Sequence, residues 1–283
     1  MATRVRLDEL VLSRGLAHDL REARGLILAG RVRVEGEVIT EAGRRVSPDC
    51  ELEVERPSSL PSRAGEKLQN LFTDLPALAR AIAGRVCLDL GAAHGGFTAV
   101  LLDHGARLVM AVDVGYGLMA PELRRDPRVV VMERTNLRDL APEDLPQPPS
   151  LITSDLSFIS QRRVADLAQR LSFAGLWIGL FKPQFEIPKE KAHSTGVKKG
   201  VVVDPRLAQQ AWESLSSYIE KYFTVKLIAP ARPLGREGNR EFFFLAWRGE
   251  EPPPMLPDLP PAGLIIQQAY RRPPGPEGGP QGP

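Results

Sequence analysis

The spacing of apolar residues changes along this chain, and each change predicts a different kind of element. From Leu7 to Ser13 the apolar positions Leu7, Leu10 and Val11 recur at helical intervals, and Asp19 followed three residues later by Glu22 opens a second helix that should close at Gly30. Arg31-Val32-Arg33-Val34 then alternates charge with valine, Glu35-Gly36 makes a turn, and Val38-Ile39 begins a return strand, with Leu52 and Val54 in a further one. Residues 5 to 55 therefore read as two helices followed by a small sheet. Beyond residue 60, short apolar runs at 86–90, 108–112, 129–132, 151–154 and 176–181 alternate with helical stretches. Runs of this kind, separated by helices, predict a mostly parallel sheet covered on both faces.

Composition divides the chain further. Pro57-Ser58-Ser59-Leu60-Pro61-Ser62 is linker-like, which gives a small domain at 4–56, a linker at 57–63 and a larger domain at 64–248. The Pro/Gly-rich stretch 249–283 is expected to be disordered, although Leu264-Ile265-Ile266 and Tyr270-Arg271-Arg272 stand out within it. A length of 283 residues suits two domains.

A formal net charge of +2 argues neither for nor against nucleic acid, because phosphate affinity depends on where charges cluster. Arg14, Arg21, Arg24, Arg31 and Arg33 gather around the first helix pair and its exit, where they could form one phosphate-facing edge. Glu35, Glu37, Glu41, Glu51, Glu53 and Glu55 nearly balance them, so a merely solvated face stays open. Cys50 and Cys87 sit in apolar, strand-like settings without paired metal spacing, which predicts buried thiols in a reducing compartment and no metal site. No run approaches the roughly 18 apolar residues of a membrane span, and the expected location is cytoplasmic.

The chemistry concentrates after residue 85. Val86-Cys87-Leu88-Asp89-Leu90-Gly91-Ala92-Ala93-His94-Gly95-Gly96-Phe97 is an apolar run ending in an acid and a glycine-rich turn, followed by a second strand-plus-acid at Val109-Met110-Ala111-Val112-Asp113. Glycines let the backbone approach a ligand, and an acid at the tip of the next strand can hold a ribose. The spacing Asp-x-Gly-x-x-x-Gly-Gly lacks the rhythm of dinucleotide binders and points to S-adenosylmethionine. Asp89, Asp113, Asp155 and Lys182 all fall at predicted strand ends and so converge on one sheet edge. Lys182 closes the apolar run Leu176-Trp177-Ile178-Gly179-Leu180-Phe181, and Asp155 is its natural partner, as a structural ion pair or as working chemistry. Glu241 opens the last apolar strand, 242–247, while Lys67 reads locally as an ordinary exposed helix lysine.

Six segments in order carry a more specific resemblance: Ser62-Arg63-Ala64-Gly65-Glu66-Lys67-Leu68, Ala111-Val112-Asp113-Val114-Gly115-Tyr116-Gly117, Glu133-Arg134-Thr135-Asn136, Asp155-Leu156-Ser157-Phe158-Ile159-Ser160, Lys182-Pro183-Gln184-Phe185-Glu186 and Gly238-Asn239-x-Glu241-Phe242. Together with Arg14-Gly15-Leu16 and Ala29-Gly30-Arg31-Val32 in the small domain, they resemble the TlyA family of ribosomal RNA 2′-O-methyltransferases over about residues 4 to 248. The resemblance implies an α/β fold: an FtsJ-like, Rossmann-like S-adenosylmethionine-dependent methyltransferase domain preceded by a small α+β RNA-binding domain. It implies a catalytic tetrad of Lys67, Asp155, Lys182 and Glu241. For the cofactor it implies a turn of Gly91, Gly95, Gly96 and Phe97 under the methionine part, Asp113 on the ribose, Asn136 at the adenine edge and Asp155 near the amino group. Asp89 either touches the cofactor or braces the turn. Arg63, Lys189 and Lys191 join the five N-terminal arginines as expected RNA contacts. The implied partner is ribosomal RNA or a ribosomal subunit, with a cytidine ribose as the acceptor. Ala64 and Ala92-Ala93-His94 depart from the family's usual residues. The competing readings are methylation of a base, a haemolysin-like role, and a non-catalytic ribosome-binding protein that senses the cofactor.

Overall fold

The computed structural model describes residues 4–17, 19–28, 30–54, 60–188, 190, 194–235, 238–249 and 259–271. The chain forms two compact units that meet between residues 59 and 60. In the first, β1 (Val5–Arg6), α1 (Leu7–Ser13) and α2 (Leu20–Leu28) precede β2 (Val32–Val34), β3 (Glu37–Ile39), β4 (Arg45–Val46) and β5 (Leu52–Val54). The strands pair as β3-β2-β5 and β1-β4. The Glu22 N–H donates to Asp19 Oδ1 at 2.7 Å, so α2 begins on the expected side-chain cap, and it stops before Gly30, whose φ is +69°. Glu35 and Gly36 both have positive φ, which a two-residue hairpin of this hand requires. Leu7, Val11, Ala23, Ile27 and Val32 form the fully buried centre of the unit's core.

The second unit begins with α3 (Arg63–Asp74) and α4 (Pro76–Arg80) and continues through β6 (Val86–Leu90), α5 (Gly96–Asp103), β7 (Leu108–Val112), α6 (Pro121–Arg125) and β8 (Val129–Met132). β9 (Leu151–Ser154), α7 (Arg162–Arg170), β10 (Gly175–Phe181), α8 (Pro183–Glu186) and the hairpin β11 (Val197–Lys198) with β12 (Val201–Val202) follow. α9 (Pro205–Ile219), β13 (Thr224–Pro230), β14 (Phe242–Arg248) and α10 (Ala262–Arg271) complete it. One seven-stranded sheet runs β13-β14-β10-β9-β6-β7-β8, parallel from β10 to β8 and antiparallel at β14 and β13. Alternation along each strand splits the core in two: Leu88, Met110 and Trp177 pack under one helix layer, Cys87, Val109 and Ile178 under the other.

Three expectations need correction. The α/β unit starts at Leu60, inside the stretch read as linker, and α3 already includes Arg63. The C-terminal stretch is not uniformly unstructured: α10 packs Ile265 and Ile266 into the core beside α9. Prolines dominated its composition, whereas Ala262, Ile265, Ile266, Ala269 and Tyr270 supply a stripe at helical spacing that binds the segment to the fold. Thirdly, the apolar runs read from the sequence omit β13, the sheet's edge strand, whose short alternation Thr224-Val225-Lys226-Leu227 breaks where the register shifts between Leu227 and Ala229.

Candidate active site

The parallel strands β6, β7, β9 and β10 deliver their carboxyl ends to one edge of the sheet, and antiparallel β14 delivers its start there. Phe181 pairs with Phe242, so Lys182 leaves β10 beside the point where Glu241 enters β14. Asp155 leaves β9 one strand further on, and its N–H donates to Leu90 O of β6 at 3.0 Å. The edge thus assembles Glu241, Lys182, Asp155 and the glycine turn in spatial order.

Lys67 reaches this edge from α3. A Cβ at Gly65 would lie 2.9 Å from Gly96 O, and one at Gly96 would lie 2.6 Å from Gly65 N, so α3 and α5 cross where neither helix has a side chain. Two residues beyond the crossing, Lys67 Nζ donates to Glu241 Oε2 at 2.6 Å, with the two residues 7% and 4% exposed. Glu241 Oε1 fills the space a Cβ at Gly235 would take, at 2.3 Å. Lys182 Nζ stands 2.6 Å from Asp155 Oδ1, an ion pair whose angles fall short of a hydrogen bond, and donates to Ser157 Oγ at 3.2 Å. The four tetrad positions therefore form two lysine–carboxylate pairs on neighbouring strands. Lys67 is buried, against its local reading as a surface lysine.

Gly91, Ala93 and Gly95 all adopt positive φ, and a Cβ at Gly91 would meet Asp155 O at 2.6 Å. A Cβ at Gly95 would likewise collide with Leu123 and Met119, so the glycines let this turn pack closely against the chain around it as it leads into α5. Asp113 stabilises it by accepting the Ala93 N–H at 2.9 Å and the Gly115 N–H at 2.7 Å, and each oxygen keeps a further lone pair. Asp89 lies behind the turn, 1% exposed, accepting hydroxyls of Thr98 at 2.7 Å and Thr153 at 2.8 Å. Burial pushes its carboxyl up to about 6. Asp89 is thus buried behind the turn, its two oxygens facing Thr98 and Thr153, where it is placed to brace the turn. The Phe97 ring is buried and stacked on Phe243. Asn136 is exposed and accepts the Arg138 N–H at 3.0 Å, and His94 is exposed.

Residues that local reading did not single out complete the edge. Glu186 accepts the Ser160 hydroxyl at 2.6 Å and the Gln161 N–H at 2.7 Å, which ties α8 to the loop carrying Asp155 and Ser157. Burial raises its carboxyl to about 7 against those donors. Ser154 and Gln161 continue the chain, Trp177 Nε1 donating to Ser154 Oγ and Gln161 Nε2 to Leu180 O. Phe158 is 89% exposed at φ +65°, 5.1 Å from the Phe185 ring. A bulky residue held in that region and offered to solvent is a cost the fold does not need for packing.

Of the expected RNA contacts, Lys189 and Lys191 lie outside the described residues. In the first unit Arg24 donates to the buried Asp8 at 2.9 Å, Arg14 to Pro48 O at 2.6 Å and Arg33 to Gly36 O at 3.1 Å, while Arg21 shares the surface of α2 with Arg24. Arg31 follows α2 and is half-buried. Arg63 donates to Leu234 O at 3.2 Å. Both cysteines are free and buried, with burial pushing Cys87 up to about 12. No helix among the described residues is long and apolar enough to cross a membrane.

Family models match on both units, an FtsJ-like methyltransferase over residues 60–248 and an S4 domain over residues 5–51. The 16S/23S rRNA (cytidine-2′-O)-methyltransferase TlyA of Mycobacterium tuberculosis is 42% identical over 86% of this chain and 90% of its own length. Hemolysin A of Brachyspira hyodysenteriae is 35% identical over 84% of this chain and 98% of its own. A solved, hemolysin-labelled protein from Streptococcus thermophilus superimposes with a TM-score of 0.69 at 29% identity, covering 96% of this chain and 97% of that one. Methyltransferase and hemolysin are thus two labels within one family, and the haemolysin-like alternative does not describe a different fold. The chain belongs to the TlyA family, an S4 domain followed by an FtsJ-like methyltransferase domain.

Proposed function

We propose that the protein transfers a methyl group from S-adenosylmethionine to a ribose 2′-hydroxyl of ribosomal RNA, at cytidine, in the cytoplasm. The observation that carries this reading is the pair of largely buried lysine–carboxylate contacts at adjacent strand ends, next to the glycine turn that joins β6 to α5. The relative from Mycobacterium tuberculosis bears that activity in its name.

When bound, the cofactor supplies an electrophilic methyl on a sulfonium. Gly91, Gly95 and Gly96 would hold its methionine part, Asp113 its ribose, the Asn136 loop its adenine edge and Asp155 its amino group. A ribose hydroxyl is a weak nucleophile, so this chain's contribution is to polarise it and hold it in line. Lys182 Nζ faces Asp155 Oδ1 and donates to Ser157 Oγ, and its remaining position is the one offered to the ribose hydroxyl. Asp155 orients Lys182, whose amine in its neutral form takes the hydroxyl proton and becomes the ammonium of the ion pair as the oxygen attacks the methyl. Lys67 and Glu241 bound the acceptor pocket from the β14 side and hold that strand in place. Phe158 offers its exposed face to the base of the bound nucleotide, which stacking would fix without regard to sequence. The S4 unit contributes phosphate contacts from Arg14, Arg21, Arg24, Arg31 and Arg33, and Arg63, Lys189 and Lys191 add others on the catalytic unit.

A non-catalytic binder would gain nothing from burying Lys67, Lys182 and Glu241 with Asp155 beside them, because desolvating ion pairs costs more than apolar packing of the same volume. The test is transfer of labelled methyl to ribosomal subunits of both sizes from a strain lacking this protein, using wild type and Lys182→Ala. Alkali-resistant linkages with wild type alone support 2′-O transfer. Cofactor binding without transfer to either subunit overturns it.

A further inference from the structure

We propose that the C-terminal helix α10 is a clasp that fixes Glu241 through the neighbouring Arg240, making Arg240 and Tyr270 positioning residues for the reaction; this rests on the methyltransferase reading of the tetrad. Three consecutive side chains at the entrance to β14 hold three separate elements. Asn239 reaches the β11–β12 hairpin, accepting the Val202 N–H at 3.3 Å and donating to Gly200 O at 3.4 Å. Glu241 reaches Lys67 of α3. Arg240, between them, donates from Nε to Ala269 O at 2.7 Å and places its guanidinium 4.9 Å from the centre of the Tyr270 ring.

The chemistry of the contact suits a clasp. Residue 273, four positions on from Ala269, is a proline and has no N–H, so Ala269 O has no i+4 donor and can accept from Arg240. A planar guanidinium can donate to such a carbonyl and lie over an aromatic face at once, which an ammonium cannot match. The support behind it is firm, since Ile265 and Ile266 of α10 are 6% and 0% exposed in the core layer shared with α9. α10 also lies outside residues 60–248, the span that the FtsJ-like model accounts for. The Tyr270 hydroxyl is buried with no hydrogen-bond partner among the described residues, so the ring alone does the holding.

The consequence reaches the site through backbone. Glu241 O accepts the Ala231 N–H and Asn239 O accepts the Gly235 N–H, both at 2.8 Å, and Gly235 leaves just the space that Glu241 Oε1 fills. If Arg240 loses its hold, these two amide contacts loosen and Glu241 shifts against Lys67. A displacement near 1 Å at a positioned group can cost on the order of a hundredfold in rate.

The test compares Arg240→Ala, Tyr270→Ala and Tyr270→Phe in the full chain, measuring kcat and KM for methyl transfer to ribosomal subunits alongside hydrogen exchange of the peptide spanning 231–242. Both alanine variants should lose about tenfold or more in kcat, keep the KM for S-adenosylmethionine, and exchange faster at the amides of Ala231 and Gly235. Tyr270→Phe should match wild type in every readout. Arg240 is half-exposed, so its alanine variant keeps the test available should Tyr270→Ala fail to fold. Wild-type turnover and exchange in Arg240→Ala, or equal losses in Tyr270→Phe and Tyr270→Ala, would overturn the clasp. Faster exchange in the alanine variants of an enzyme whose wild type methylates no RNA would uphold the clasp and sink the function assigned to the site.

Discussion

Replacing Glu241 by methionine leaves the Lys67 ammonium without its carboxylate in a pocket where the lysine is 7% exposed. Breaking one side of a buried ion pair costs about 3–5 kcal/mol, because the remaining charge keeps its desolvation penalty and loses its compensation. For a unit of this size each kcal/mol moves the melting temperature by roughly 2–4 °C, so Glu241→Met should lower the larger unit's transition by about 6–20 °C. Lys67→Met should do nearly the same by stranding the carboxylate. The double variant removes both charges, and its unbranched side chains can follow the original paths past Gly235, so it should return to within about 1 kcal/mol of wild type. Calorimetry of the full chain measures all four proteins, and the coupling between the two positions should reach about 5 kcal/mol or more. Methyl transfer should be lost in all three variants, the double included, which separates chemistry from stability. Single variants melting within about 1 °C of wild type, or a double variant equal to the sum of its parts, would refute the claim that this pair is caged away from water.

Gly91→Ala sets a Cβ 2.6 Å from Asp155 O at a φ of +83°, so calorimetric titration should show S-adenosylmethionine affinity falling at least tenfold with stability lower by about 1–3 kcal/mol; unchanged affinity would remove the turn from the cofactor site. Phe158→Ala should raise the KM for RNA about tenfold or more, given about 1–3 kcal/mol for a stacked base, with melting temperature and cofactor affinity unchanged; an unaltered KM would leave the exposed ring without a role. The Glu186 carboxyl, raised to about 7 by burial from an ordinary 4.5, holds a proton in the folded state that the unfolded chain has already released between those values. Stability contributed by that group is present below the lower value and declines as pH rises to the upper one. Melting curves across pH 4 to 8 should therefore fall less steeply for Glu186→Gln than for wild type, and identical slopes would contradict the assignment.

The strands and the glycine turn were legible because their signals are local. Buried parallel strands need continuous apolar runs, and the runs at 86–90, 108–112, 129–132 and 151–154 are the strands β6 to β9. Asp155 and Lys182 were legible as partners for the same reason, since a parallel sheet sends successive strand ends to one edge. What stayed hidden depends on contacts between segments far apart in the chain. Lys67 looks like a surface lysine until Gly65 and Gly96 let α3 approach α5, and its partner lies 174 residues away. Glu186 reads as the last residue of a short motif, yet its two donors come from the loop before α7. α10 was obscured by the prolines around it, because averaged composition hides a ten-residue stripe whose value lies in the groove it fills. The same distinction explains why Asp89 was left between two roles. A sequence places the acid at the end of a strand, and only the two threonines behind the turn, Thr98 and Thr153, show that its oxygens point inward beneath the turn.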